Sequence, residues 1–245
     1  MLTSNGPVRL TIMRQERHPT LRLVGCDYVA RSLRDDGRAV LAEVEAEQYH
    51  ALPSEERRRD WLAGRCAAKL AVRDVMRRRS TAPALHAIVI AHDESGAPTF
   101  TVDGSSDREL GLNVSLAHAG GVGLAAVADT VRCGSVGVDL EPQRPLGRRR
   151  LRAVLTRREW RVLKTGDSTM MPPPLALWML KEAVFKADRG ETFASPLDVE
   201  LRWRDGRARV PAPAGNATGS HYRLAWRAHR GHVIACAVRT LSETG

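Results

Sequence analysis

Two short stretches hold residues whose types and spacing suit phosphate chemistry. Gly137-Val138-Asp139-Leu140-Glu141-Pro142 reads as a strand. Successive side chains of a strand point to opposite faces, so Val138 and Leu140 share one face while Asp139 and Glu141 share the other. Two carboxylates side by side raise each other's pKa or call in a cation, and oxygen ligands of this kind suit a hard ion such as Mg²⁺. Taken alone, acidic residues on the wet face of a half-exposed strand are also ordinary. The second stretch, LWMLKEAVFKA (177–187), has helical spacing, with Trp178, Glu182 and either Phe185 or Lys186 on one face. Glu182 and Lys186 stand four apart, which on an open surface stabilises a helix by only about 0.2–0.5 kcal/mol. Trp178, Leu180, Ala183 and Phe185 make the stretch too apolar for open surface, so Lys181, Glu182 and Lys186 are expected to be partly buried and in need of partners. Glu182 beside Asp139 and Glu141 would complete a Mg²⁺ site, and two lysines beside it would suit a pyrophosphate.

Other candidates are weaker on their own. His118, in NVSLAHAGG, lies among small residues where backbone can approach an anion closely, although a lone histidine is as often a packing residue. Arg65, in LAGRCAAK, is a possible phosphate clamp in a chain where any single arginine is by default a solvated charge. The lysines are more telling. Of the 38 basic residues only Lys69, Lys164, Lys181 and Lys186 are lysine, and two of these fall in one helical stretch. Against an arginine-rich background, this pattern marks positions that take a compact ammonium instead of a planar guanidinium.

The elements that must position these residues alternate between helix and hairpin. RAVLAEVEAEQYHAL (38–52) has helical spacing, and Pro53-Ser54-Glu55-Glu56 looks like the cap of the next helix, RRRDWLAGRCAAKLAVRDVMRRR. That helix offers Trp61, Leu62, Cys66, Leu70, Val72 and Met76 as a buried face, with arginines around it. IVIAHDESGAPTFTV reads as two strands round a turn at Asp93 to Gly96, and NVSLAHAGGVGLAAVAD as a loop feeding a further apolar strand. After GVDLEP the order recurs. LGRRRLRAVLTRREWRVLK is a basic helical region, followed by LALWMLKEAVFKADRG with Gly190 as its stop. DVELRWRDGRARV is then a hairpin around Asp205-Gly206, and YRLAWRA and HVIACAVR are two strands. The expected fold is α+β: two similar halves, 1–130 and 131–245, each a helix on a small antiparallel sheet, with a ligand cleft between them.

Composition sets outer bounds. With 245 residues and 43% hydrophobic content, the chain can bury one sizeable core or two small ones. Cys26, Cys66, Cys133 and Cys236 form no Cys-x-x-Cys pair, so neither a zinc site nor a disulfide framework is signalled. The start of the chain lacks the pattern of a secretory signal and no apolar run is long enough to span a bilayer, so a cytoplasmic protein without a membrane partner is expected. The formal charge of +10 implies a polyanionic partner. Nucleic acid would satisfy the charge, but 4% aromatic content offers little stacking surface, and nucleic-acid binding leaves GVDLEP and the clustered lysines unexplained. A two-carboxylate glycosidase gives the lysines no task.

GVDLEP followed some forty residues later by Trp178-Met179-Leu180-Lys181-Glu182-Ala183-Val184-Phe185-Lys186-Ala187 resembles the signature pair of the 4′-phosphopantetheinyl transferases, in their longer, pseudo-dimeric, surfactin-synthetase-activator form. LAGRCAAK (62–69), GAPTF (96–100) and the Val-Ser-x-x-His-x-Gly loop at 114–120 match in the same order, so the resemblance covers roughly residues 55–240. It implies a chain that moves the phosphopantetheine arm of coenzyme A to a serine of an acidic acyl or peptidyl carrier protein. Asp139, Glu141 and Glu182 would hold Mg²⁺, Lys186 would contact the pyrophosphate with Lys181 nearby, and Arg65 and His118 would take the 3′-phosphate. Lys69, Pro98 and Ser115 complete the implied coenzyme A-binding set. Glu159, in LTRREW, falls where the family has a glutamate proposed to help deprotonate the serine. Two departures stand out: the family's usual Gly-Lys-Pro turn is Gly96-Ala97-Pro98 here, and Ala117 precedes the histidine where serine is common, leaving Ser115 as the local hydroxyl. The resemblance also implies a carrier-docking surface, offered by Arg148, Arg149, Arg150, Arg152, Arg157 and Arg158 with Met170 and Met171 beside them. Duplicated halves would let the chain act as a monomer.

Overall fold

The computed structural model describes residues 8–10, 19–24, 39–79, 82–165, 172–204, 207–210 and 221–240. The chain divides into two compact units, Met1–Arg132 and Cys133–Gly245. Asp205-Gly206, Met170, Met171 and the stretch 211–220 lie outside the described residues.

In the first unit, strands β1 (Val8–Leu10), β2 (Thr20–Val24), β6 (Leu112–Ala119) and β7 (Val122–Asp129) form an antiparallel sheet in the order β1-β2-β7-β6. The expected loop around His118 is instead the end of β6. Gly120 and Gly121, at φ 58° and 75°, turn the chain in two residues, and only residues tolerant of positive φ close a hairpin that tightly. Helix α1 (Glu43–Ala51) precedes α2 (Glu55–Arg79), whose start is capped by Ser54 Oγ accepting from the Arg57 amide at 3.2 Å. Strands β3 (Ile88–His92), β4 (Pro98–Val102) and β5 (Ser105–Ser106) make a second small sheet.

Helix α2 differs from the amphipathic helix expected. Residues 62–72 are buried all the way round, Arg65 and Lys69 included. Six of its eight arginines gather at the ends, Arg57 to Arg59 and Arg77 to Arg79, while the run of alanine and glycine in LAGRCAAKLA lets β2, β6, β7 and β3 pack against it. Leu62, Val72, Ile90, Phe100, Val114 and Val127 fill the core around it.

A single helical turn, α3 (Thr130–Cys133), precedes β8 (Val136–Pro142). In the second unit, β8 joins β11 (His221–His229) and β12 (His232–Thr240) in the order β11-β12-β8. The basic helical region is two helices, α4 (Arg148–Val154) and α5 (Arg157–Thr165), because Thr156 starts a fresh cap. Its Oγ1 accepts from Glu159 N at 3.2 Å while Glu159 Oε2 accepts from Thr156 N at 2.8 Å, a reciprocal capping box. Helix α6 (Pro174–Asp188) lies on β8, β11 and β12 and ends where Arg189 takes a left-handed conformation, φ 55°. Strands β9 (Arg202–Arg204) and β10 (Arg207–Arg209) pair as the expected hairpin.

The mixed helix and antiparallel sheet content makes the protein α+β. The two units share an order of parts: helix, small hairpin, long hairpin. The β2-β7-β6 portion of the first sheet has its equivalent in β8-β12-β11 of the second. No helix among the described residues is long and apolar enough to cross a membrane.

Candidate active site

In the second unit, Gly137 allows the main functional cluster to form. A Cβ at this position would overlap the Ala183 carbonyl and crowd the Ala187 amide, so only glycine lets β8 approach α6 this closely. Val138 and Leu140 face the core, 0% and 2% exposed. Asp139 faces α6, where its Oδ1 accepts from Lys186 Nζ at 2.7 Å, and that ammonium also donates to Val138 O at 3.2 Å. Glu141 sits two residues on at the rim, 3.7 Å from Arg144. On α6, Trp178, Glu182, Phe185 and Lys186 form the half-buried stripe between buried neighbours, as their spacing predicts. Burial raises the Glu182 pKa above the usual carboxylate range, and the charges of Asp139 and Glu141 add to this while Lys186 opposes them.

Three carboxylates in mutual electrostatic reach with one ammonium form a donor set that suits a hard divalent cation. The side chains as placed do not close a coordination shell: among the described residues no three His, Cys, Asp or Glu groups are gathered as metal ligands. As placed, Lys186 holds Asp139 as its counter-ion.

Lys181 and Glu159 lie elsewhere. Lys181 is 0% exposed and donates to Glu159 Oε2 and Val154 O, each at 3.0 Å. Glu159, 2% exposed, also accepts from the Leu201 amide through Oε1 at 2.8 Å. The T-x-x-E pattern of Thr156-Arg157-Arg158-Glu159 carries this signal in the sequence and points to a helix cap.

In the first unit, the counterpart pair is Lys69 and Glu45, both fully buried. Lys69 Nζ donates to Glu45 Oε2, to Val40 O at 2.7 Å and to Leu85 O at 3.2 Å. Burial lowers the Lys69 pKa, with Glu45 opposing. Glu45 also accepts from the amides of Ala42 and Ile90 at 3.0 and 3.1 Å. Sequence reading passed over Glu45 because its three partners lie on separate segments.

Arg65 is 3% exposed, its guanidinium 4.5 Å above the Trp61 ring and its Nε 3.8 Å from Glu45, too far for a hydrogen bond. That buried Nε has no hydrogen-bond partner among the described residues. Burial lowers the Arg65 pKa with Glu45 opposing. Burial and the Arg65 charge likewise lower that of His92, which is registered opposite Pro98 across β3 and β4. His118 is exposed near the end of β6, and its ring lies against Gly64, where a Cβ would come within 3.1 Å of Cδ2. Asp60 holds the following turn by accepting from Gly121 N at 2.5 Å. Ser115 is buried on the same strand.

Residues 135–237, which span the carboxylate strand, α6 and the closing hairpin, match the family model of the 4′-phosphopantetheinyl transferase superfamily. It is 36% identical over 135 residues to the 4′-phosphopantetheinyl transferase Npt of Nocardia iowensis, an alignment covering 54% of this chain and 52% of the relative. The chain thus spans about half the length of the curated relative it matches.

Proposed function

We propose that this protein transfers the 4′-phosphopantetheine arm of coenzyme A to a serine hydroxyl of an apo acyl or peptidyl carrier protein, with Mg²⁺, and releases 3′,5′-adenosine bisphosphate. The observation that carries the reading is the cluster of Asp139, Glu141, Glu182 and Lys186 inside the segment shared with the superfamily. Asp139, Glu141 and Glu182 would hold the ion, which supplies positive charge at the pyrophosphate. Lys186 neutralises charge that builds on the phosphate as the serine oxygen attacks the β-phosphorus and the bisphosphate leaves. A carboxylate of the cluster takes the serine proton.

The 3′-phosphate falls to Arg65 and His118. The buried Arg65 guanidinium with its unpartnered Nε and the exposed His118 ring support that assignment. Pro98 and Ser115 belong to the nucleotide side, and the pseudo-dimeric form of the family is part of the same reading. Arg148, Arg149, Arg150, Arg152, Arg157 and Arg158 are all exposed on α4 and α5, a basic face that suits an acidic carrier. The reading takes the protein to act in the cytoplasm as a monomer, without nucleic acid.

Intact mass spectrometry of an apo carrier incubated with the protein, coenzyme A and Mg²⁺ tests it. A phosphopantetheine-sized gain is expected, absent with Glu182→Gln. In the same assay Arg149→Glu with Arg152→Glu is expected to raise the carrier KM several-fold and leave coenzyme A binding by calorimetry unchanged. No gain on any carrier class, together with no coenzyme A binding, rejects the reading.

A further inference from the structure

The contact made by Glu159 and Lys181 occurs in both units in the same form. In each, a glutamate in the first turn of a short helix accepts from the amide three residues before it: Ala42 for Glu45, Thr156 for Glu159. In each, its other oxygen accepts from an amide beyond the long helix, Ile90 or Leu201. The long helix sends a fully buried lysine to that glutamate and to the carbonyl two residues before the capped amide, Val40 or Val154. Three segments distant in sequence are thereby tied at one point.

The first unit serves as an internal control for what this contact does. There the positions equivalent to Asp139, Glu141 and Glu182 are Arg22, Val24 and Leu70. The strand equivalence follows from register: Arg22 pairs with Ala125 and Asp139 with Ala235, the fourth residues of β7 and β12, which both follow two-residue turns. The helix equivalence follows from Lys69 and Lys181. The lysine-glutamate anchor is thus present where the catalytic carboxylates are not.

From this we infer that Glu159 is a positioning residue and not the base that deprotonates the incoming serine, an inference that rests on the transfer reaction proposed above. Glu159 is buried and receives three donors, so it has no face to offer a hydroxyl. Its task is to hold Lys181, and so to set the rotation of α6 about its axis. That rotation decides whether Glu182, the next residue, and Lys186, five further on, meet β8. A misrotation of α6 therefore weakens the ion site without removing any of its ligands.

The test compares wild type with Glu159→Gln, Lys181→Met and the double variant, by thermal unfolding, by transfer to an apo carrier across pH, and by the Mg²⁺ concentration giving half-maximal rate. A single substitution strands a buried group, so Tm should fall by roughly 10 °C. Transfer measured below that Tm should need roughly tenfold more Mg²⁺. Removing both charges together should restore most of the Tm, because a buried pair is replaced far more cheaply than it is broken. The double variant should then recover at least about a tenth of wild-type kcat with the shape of its pH profile unchanged.

A double variant that melts with wild type yet transfers no faster than Glu159→Gln, or that has lost one limb of the pH profile, makes Glu159 the base and overturns the inference. A double variant as unstable as either single one overturns the anchor. Failure of wild type to transfer on any carrier rejects the function instead, and the melting series still decides the anchor.

Discussion

The two units place the same pair of positions in contact and fill them with opposite charges. In the first, Arg22 on β2 pairs with Asp74 on α2, five residues past Lys69. In the second, Asp139 on β8 pairs with Lys186 on α6, five residues past Lys181. Either polarity ties strand to helix, so the pairing itself is architecture. What differs is which charge the strand carries. Anion on the strand, with Glu141 and Glu182 beside it, gathers negative charge that a metal ion can use. Cation on the strand, with apolar residue types at the other two equivalent positions, leaves Asp74 as the one carboxylate of the four. The two units thus share the strand-to-helix pairing and differ in which side of it carries the negative charge.

Exchanging the polarity gives the largest expected effect. Asp139→Arg with Lys186→Asp copies the first unit's pair into the second. It should leave the protein folded, with a Tm close to wild type, while transfer falls roughly 1,000-fold or more, since both the ion site and the phosphate cation are lost. The reciprocal exchange, Arg22→Asp with Asp74→Lys, should cost no more stability and leave Mg²⁺-dependent transfer near wild type. Intact-mass assays with calorimetric melting compare the two. If the first exchange keeps substantial transfer, charge sign at Asp139 is not what distinguishes the units.

Much of this was legible in the sequence, though unevenly. Period-two alternation placed Asp139 and Glu141 together, and period-3.6 spacing put Glu182 and Lys186 on one stripe, because short-range geometry fixes both. The hairpins were legible from Asp93-Glu94-Ser95-Gly96 and Asp205-Gly206. The end of β6 was not, since Gly120-Gly121 reads as loop until both residues are seen to serve one tight turn. The roles of Lys69 and Lys181 were also hidden. A rare lysine in an apolar helix signals that it needs a partner, but not whether the partner is substrate or a glutamate of another helix. Here the sequence held a clue, for a glutamate three residues after Thr156 is already engaged as a cap. Burial of the whole circumference of α2 was missed because apolar spacing treats alanine as neutral, whereas alanine and glycine are what allow close packing on every side.

A second comparison concerns how closely strand and helix approach. Gly123 on β7 and Gly137 on β8 each abut helix backbone: a Cβ at Gly123 would overlap the Ala63 carbonyl, as one at Gly137 would overlap that of Ala183. Gly123→Ala and Gly137→Ala should each destabilise by about 1–3 kcal/mol, lowering Tm by roughly 2–4 °C per kcal/mol. Their effects on transfer should separate. Displacing β8 moves Asp139 and Glu141 from α6, so Gly137→Ala should raise the Mg²⁺ requirement, whereas Gly123→Ala should raise the coenzyme A KM through the His118 strand and leave the Mg²⁺ requirement alone. Equal shifts of both parameters in both variants would mean that the substitutions act only through global stability.

The smallest expected effect lies at the ends of the two long helices. Asp188 closes α6: it is fully buried and accepts from the amides of Thr192 and Phe193 at 2.5 and 3.0 Å and from the Tyr222 hydroxyl at 2.7 Å. Burial pushes its carboxyl up, but these donors outweigh burial and hold the pKa below the usual aspartate value. A carboxylate with a depressed folded-state pKa stabilises the protein above its unfolded pKa and loses that contribution as pH falls through the folded one. Asp188→Asn should therefore melt a few degrees below wild type at neutral pH, with the gap closing as pH drops below the ordinary aspartate range. The equivalent position of α2 is Met76, where Met76→Ala should give a gap that does not vary with pH. Thermal melts from neutral to acid pH measure both, and a constant Asp188→Asn gap would assign its contribution to hydrogen-bond geometry alone, leaving charge at the end of α6 without a role.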